Sequence, residues 1–131
     1  GRGRVKGLRI IDNLGNKKFL YIHALLSGFP TPANVWARLS FDSPTGRLKD
    51  NFYEMRKKGI DVMIRGHDHY SRAVSVSKKV NPYDAKIVLE EKNPFKLRKD
   101  KRYIITIGSF YNGNYAELNT KTDKFSYKNL Q

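Results

Sequence analysis

The stretch that decides the fold is VMIRGHDHY, at residues 62–70. An apolar run typical of a buried strand ends at Gly66, and two histidines follow, one residue apart. Glycine allows a sharp turn where a Cβ atom would collide, so the sequence predicts a tight turn at a strand end. Because ligands in layered α/β proteins gather at such ends, His67 and His69 are candidate ligand residues.

The third histidine also follows an apolar strand signal. Residues 19–22 read FLYI, a composition typical of a strand, and the run ends directly at His23. The chain has three histidines and no cysteine, so any metal must be held by nitrogen and oxygen ligands. A lone histidine in such a position is more often an interior residue than a ligand. Three histidines at similar positions favour a metal site formed by His23, His67 and His69.

The region before the paired histidines predicts half of an α/β crossover. Residues 47–58 predict an amphipathic helix, because apolar residues recur on one helical face. Those residues are Leu48, Phe52 and Met55. Gly59 has the position of the left-handed residue that ends many helices, and a strand over 60–64 follows it. A shorter helix is predicted over 33–39.

The rest of the chain predicts strands and turns. Turn chemistry over 12–16 favours a hairpin, and the last fifteen or so residues favour another. The predicted strands are 8–11, 73–76, 87–89, 103–107, 115–119 and 125–127. Residues 1–9 alternate glycine with basic residues and are expected to be flexible. With no internal repeat or linker, residues 1–131 are expected to form a single α/β domain.

Composition restricts the class of partner. Lys and Arg outnumber Asp and Glu by 26 to 12, a formal charge of +14. Such an excess favours anionic partners, including phosphate esters and nucleic acid. No window is apolar for long enough to cross a membrane, and no secretory leader is visible. We therefore expect a cytoplasmic protein without membrane contact. Because the chain begins Gly-Arg-Gly without methionine, a lost leader stays open as an alternative.

Taken in order, these motifs resemble the calcineurin-like metallophosphoesterases. The turn 66–69 is similar to the last conserved block of that family, and His23 is similar to the single-histidine block before it. Residues 105–109 and 115–119 resemble the strand, Gly-Ser turn and hairpin that close its smaller members. The resemblance runs from about His23 to the end of the chain. It implies two mixed β-sheets in a sandwich flanked by helices, of which this chain is the C-terminal portion.

The resemblance also implies a site and a reaction. His23 and His67 would bind one divalent ion and His69 another, with Mn, Fe, Zn or Ni as candidates. Two ions about 3.5–4 Å apart activate a bridging hydroxide for attack on phosphorus. The implied activity is hydrolysis of phosphate mono- or diesters, including nucleotides or nucleic acid. Asp68 and Tyr70 have no ligand role in this assignment.

Three earlier blocks of the family, D-x-H, G-D-x-x-D and G-N-H-[DE], do not occur in the sequence. Most carboxylate ligands are therefore expected from a missing N-terminal half or a complementing chain. Three neutral imidazoles hold two divalent ions poorly without carboxylates, so residues 1–131 alone are expected to be inactive. Two alternatives stay open: a basic nucleic-acid-binding module without catalysis, and a degenerate family member that keeps only the fold.

Overall fold

The computed structural model describes residues 9–22, 47–66, 71–108 and 110–131. Within these ranges the chain is a mixed α/β protein with two sheets and one α-helix, which confirms the predicted class. The helix is α1 (Arg47–Lys58), and a short 3-10 helix spans Phe110–Asn112. The strands are β1 (Arg9–Leu14), β2 (Lys17–Ile22), β3 (Val62–Arg65), β4 (Arg72–Ser77), β5 (Phe95–Lys96), β6 (Lys101–Thr106), β7 (Asn114–Asn119) and β8 (Lys124–Asn129).

The larger sheet has five strands in the order β1-β2-β3-β6-β4. Its three central strands, β2, β3 and β6, are parallel, and the two outer strands run antiparallel to them. The predicted strands 19–22, 60–64, 73–76 and 103–107 all belong to it, with ends that differ by one or two residues. The parallel centre matters for function because its strands all end at the same edge.

The β1–β2 hairpin turns over two residues only. Leu14 pairs with Lys17, and both Gly15 (φ 56°) and Asn16 (φ 66°) have left-handed backbone conformations. Two successive positive φ angles are typical of a type I′ turn, whose twist matches that of the flanking strands. β1 therefore continues to Leu14, whereas the sequence predicted a strand over 8–11. Arg9 already belongs to β1, and the rest of the segment expected to be flexible lies outside the described residues.

Helix α1 packs its apolar face against the larger sheet. Leu48, Phe52 and Met55 are fully buried and form one cluster with Met63 and other side chains of the sheet. The helix has the predicted bounds and ends in a Schellman motif. Gly59 has φ +68°, the Ile60 amide donates to the Met55 carbonyl (2.9 Å), and the Gly59 amide donates to the Arg56 carbonyl (3.3 Å).

Replacing Gly59 with alanine should lower the free energy of unfolding by about 1–2 kcal/mol. The cost arises from the left-handed backbone, since a Cβ atom at Gly59 would have no described atom within 4 Å. Urea denaturation followed by circular dichroism measures it. Gly66 is the matched control, because its φ is not left-handed and a Cβ there also meets open space. An equal loss for Gly59→Ala and Gly66→Ala would contradict the explanation.

Gly66 shows no steric need for glycine within the described residues. The prediction was that a Cβ atom would collide at this turn, but none of the described residues lies within 4 Å of that position. Glycine is not required here by backbone conformation or by contact with the described part of the chain.

The smaller sheet has three antiparallel strands in the order β5-β8-β7. Phe95 and Phe125 from this sheet share a buried cluster with Phe19 and Tyr103 from the larger one. The predicted closing hairpin is confirmed as β7 and β8. The predicted strand 87–89 is wrong, because only Val88 forms an isolated bridge, to Ser75.

The predicted helix over 33–39 lies outside the described residues. No helix in the described ranges is long and apolar enough to span a bilayer.

Candidate functional site

The three parallel strands end in register at one edge of the larger sheet. Ile22 of β2 pairs with Arg65 of β3, which pairs with Thr106 of β6. The antiparallel β4 begins at the same place, with Arg72 opposite Thr106. In α/β proteins, the carboxyl ends of parallel strands are the usual position of ligand sites. We define this carboxyl edge by Ile22, Arg65, Gly66, Ser71, Arg72, Thr106 and Gly108.

Hydrogen bonds fix both ends of the segment that carries the paired histidines. The chain leaves β3 at Gly66 and re-enters the described region at Ser71. The Ile107 amide donates to the Arg65 carbonyl (2.9 Å), and the Gly108 amide donates to Ser71 Oγ (3.0 Å). The chain just after β6 thus binds the residues on both sides of the segment 67–70.

Two arginines lie at the carboxyl edge. Arg65 is 1% exposed, and its Nη1 donates to Thr106 Oγ1 at 3.0 Å. Arg72 is half-buried, and its Nε donates to the Leu89 carbonyl at 3.2 Å. Since β6 separates their strands, their Cα atoms are about 10 Å apart. Residues paired across strands point to the same face, so both guanidinium groups lie on the face with Thr106.

The described donors do not by themselves fit a metal ion. Among the described ranges, no three His, Asp or Glu side chains come together as a metal-holding group. The described part of the carboxyl edge adds two cations and no carboxylate. Guanidinium groups suit phosphate and carboxylate groups, whereas a divalent cation would be repelled by them unless anionic ligands compensate.

The predicted site residues His23, His67 and His69 lie outside the described residues, as do Asp68 and Tyr70. The structure describes the residues from which the chain enters these positions. Ile22 precedes His23, and Gly66 precedes His67, at the ends of two neighbouring parallel strands. Neighbouring strands are about 4.8 Å apart, so the described ends of these two strands lie side by side.

Sequence reasoning missed Arg65, Arg72 and Thr106 as residues of this edge. One signal was available, because Arg65 is the charged member of an otherwise apolar strand. Arginine is almost never fully buried unless it is paired, so a buried strand that ends in arginine indicates a specific partner. Arg72 and Thr106 carry no comparable signal, because their place at the edge depends on the pairing of distant strands.

Comparison with known proteins gives no further information about this edge. No family model, no curated protein and no solved structure matches the chain.

Proposed function

We propose that this chain carries the histidine ligands of a two-metal phosphoesterase site of the calcineurin-like type. His23 and His67 would bind one divalent ion, and His69 a second. The observation that carries the proposal is the register of β2 and β3: Ile22, directly before His23, ends β2 and pairs with Arg65, which ends the parallel strand β3 two residues before His67. A cytoplasmic phosphatase or phosphodiesterase is the corresponding kind of enzyme.

The finer architecture of that family belongs to the same proposal. We propose a sandwich in which the two sheets face each other and α1 covers the outer face of the larger sheet. Two buried clusters support it. One joins side chains of both sheets, including Phe95 and Tyr103, and the other joins α1 to the larger sheet through Phe52 and Met63. In this arrangement residues 1–131 are the C-terminal portion of a single domain.

The residues of this chain would bind and orient the substrate. When bound, a metal pair supplies an activated hydroxide and neutralises charge on phosphorus. The excess of 26 Lys and Arg over 12 Asp and Glu makes the chain attractive to an anionic ester before any contact forms. Phosphate mono- or diesters, including nucleotides and nucleic acid, fit this charge.

The remaining ligands would come from a complementing N-terminal half or a second polypeptide. Two divalent ions held only by three neutral imidazoles would leave a large uncompensated positive charge. The required groups are therefore carboxylates, which the described carboxyl edge does not contain. We expect the isolated chain to bind Mn²⁺ or Zn²⁺ weakly and to hydrolyse nothing efficiently.

Isothermal titration with Zn²⁺ tests the ligand assignment. Replacing His23, His67 or His69 with alanine should weaken binding more than about 10-fold, because removing even a group that only orients a ligand costs about 10–100-fold in affinity. Asp84→Ala, which removes an exposed carboxylate that is not one of the residues of the carboxyl edge, is the control and should leave the affinity unchanged. Equal affinities for the wild type and the histidine variants would contradict the assignment and favour a non-catalytic protein.

Turnover of bis-p-nitrophenyl phosphate with added Mn²⁺ tests the expected lack of activity. The isolated chain should show no hydrolysis above the rate with Mn²⁺ alone. Robust hydrolysis that disappears in His69→Ala would contradict the view that essential ligands lie outside these residues.

A further inference from the structure

The amino ends of the same three parallel strands collect basic side chains. The end of α1 and the end of β4 reach this edge too, since α1 leads directly into β3 and β4 runs antiparallel to β6. We define the basic edge by Lys18, Arg56, Lys57, Lys58, Lys78, Lys79, Arg98, Lys99 and Arg102, with Glu54, Asp61 and Asp100 as its carboxylates. Nine cations against three anions leave an excess of six positive charges.

Contacts between elements hold this group together. Lys18 Nζ of β2 donates to the Lys58 carbonyl at the end of α1 (3.0 Å). Arg102 Nε of β6 donates to the Ile60 carbonyl just before β3 (3.2 Å). Residues from β2, α1 and β6 therefore meet at one place, although they are far apart in sequence.

The acidic residues of the basic edge are already paired. Lys78 Nζ donates to Asp61 Oδ1, and Arg98 pairs with Asp100 at 3.1 Å. That Arg98 pairing is the main cause that lowers the pKa of Asp100, and the nearby Lys79 contributes. Glu54 is shared between Lys57 and Lys58. Within the described chain, five cations are left without a carboxylate partner: Lys18, Arg56, Lys79, Lys99 and Arg102.

Like charges are crowded on this edge. The pKa of Arg102 is lowered, first by burial and also by the nearby Arg56 guanidinium, against the opposing effect of Asp61. Crowded unpaired cations destabilise a folded protein through repulsion, and a bound polyanion removes that repulsion. The basic edge therefore differs from an ordinary surface of separately solvated lysines, because its cations repel one another.

We propose that the basic edge binds the phosphate backbone of a nucleic acid, at a surface separate from the carboxyl edge. Its cations follow the strand order β2-β3-β6-β4, which spans about 14 Å at about 4.8 Å per strand. That length corresponds to about four base-pair steps of a duplex, since the phosphates of one strand rise about 3.4 Å per step along the helix axis. Five cations without a described carboxylate partner, distributed over this length, fit an extended polyanion, which favours nucleic acid over a folded acidic protein.

The same surface is poorly suited to a membrane. Membrane-bound basic surfaces combine cations with exposed aromatic or leucine side chains. Within the described chain, one exposed large apolar residue, Val80, is adjacent in sequence to the residues of the basic edge. The two edges are about 16 Å apart along β3, so a nucleic acid on the basic edge would not occupy the proposed reaction edge.

Fluorescence anisotropy with a labelled 20-base-pair duplex, in EDTA and between 50 and 200 mM KCl (about the range in which salt effects are large), tests the proposal. The test variant combines Arg56→Ala, Lys79→Ala and Lys99→Ala, all exposed and without a described carboxylate partner. Losing three phosphate contacts should reduce the slope of log Kobs against log salt by about 2.7 and weaken binding by about 100-fold at low salt.

The control variant combines Lys92→Ala, Lys121→Ala and Lys128→Ala, three exposed lysines outside the basic edge. It has the same net charge as the test variant and should bind within about threefold of the wild type. Absence of duplex binding, equal losses in both variants, or stronger competition by polyglutamate than by unlabelled duplex would each overturn the proposal. His67→Ala should bind the duplex normally in EDTA, which separates this result from the metal-site proposal.

Discussion

Replacing Phe52 with alanine is expected to lower the free energy of unfolding by about 4 kcal/mol. Phe52 is fully buried at the centre of the cluster that joins α1 to the larger sheet. The substitution removes the apolar transfer energy of the ring and leaves a cavity that the sheet can fill only in part. Because domains are stabilised by only about 5–15 kcal/mol, much of the chain should then be unfolded at physiological temperature.

Urea denaturation followed by circular dichroism in the far ultraviolet, where helices give a strong signal, measures this loss. Arg56→Ala is the matched control, since Arg56 is exposed one turn later on the same helix and should change stability by less than about 0.5 kcal/mol. A loss of less than about 1 kcal/mol for Phe52→Ala would contradict the packing of α1 on the sheet.

Replacing Arg65 with alanine is expected to cost about 3 kcal/mol of stability. Its guanidinium is buried and donates to Thr106 Oγ1 across two neighbouring strands. The substitution leaves a cavity at the carboxyl edge and removes the donor to the Thr106 hydroxyl. Arg65→Met, which keeps most of the volume, should cost less than Arg65→Ala.

A double-mutant cycle with Thr106→Val isolates the hydrogen bond. Thr106→Val alone should cost about 1–2 kcal/mol, because it removes the acceptor from a buried cation. The coupling energy between the two sites should be about 0.5–3 kcal/mol, as for residues in direct contact. Strict additivity of the two losses in stability would contradict a stabilising hydrogen bond between Arg65 and Thr106.

The elements predicted best from the sequence are those with local signals. Helix α1 has its predicted bounds because helical spacing and Gly59 both lie within the segment itself. The strand 87–89 was predicted from β-branched composition, but only Val88 finds a pairing partner. Strand β5 was missed because it has two residues, lies in a polar region, and depends on pairing with β8.

The residues of the candidate site likewise divide into those with a local sequence signal and those without one. The position of the histidines after apolar strands is a local signal, and the neighbouring ends of β2 and β3 agree with it. The burial of Arg65 depends on contacts such as that with Thr106, which is 41 positions away. No pattern around Arg65 alone could identify that partner. The basic edge was equally hidden, since the excess of Lys and Arg is visible in composition but its arrangement requires the fold.

The most direct test of the two-metal proposal is an anomalous-difference map at the zinc absorption edge, from crystals of this chain grown with Zn²⁺. The proposal predicts a peak about 2.0–2.1 Å from imidazole nitrogens of His23 and His67. It also predicts that the His69 ring faces a second position about 3.5–4 Å from the first. A map without a peak at these histidines, or with the three rings directed to unrelated places, would contradict it.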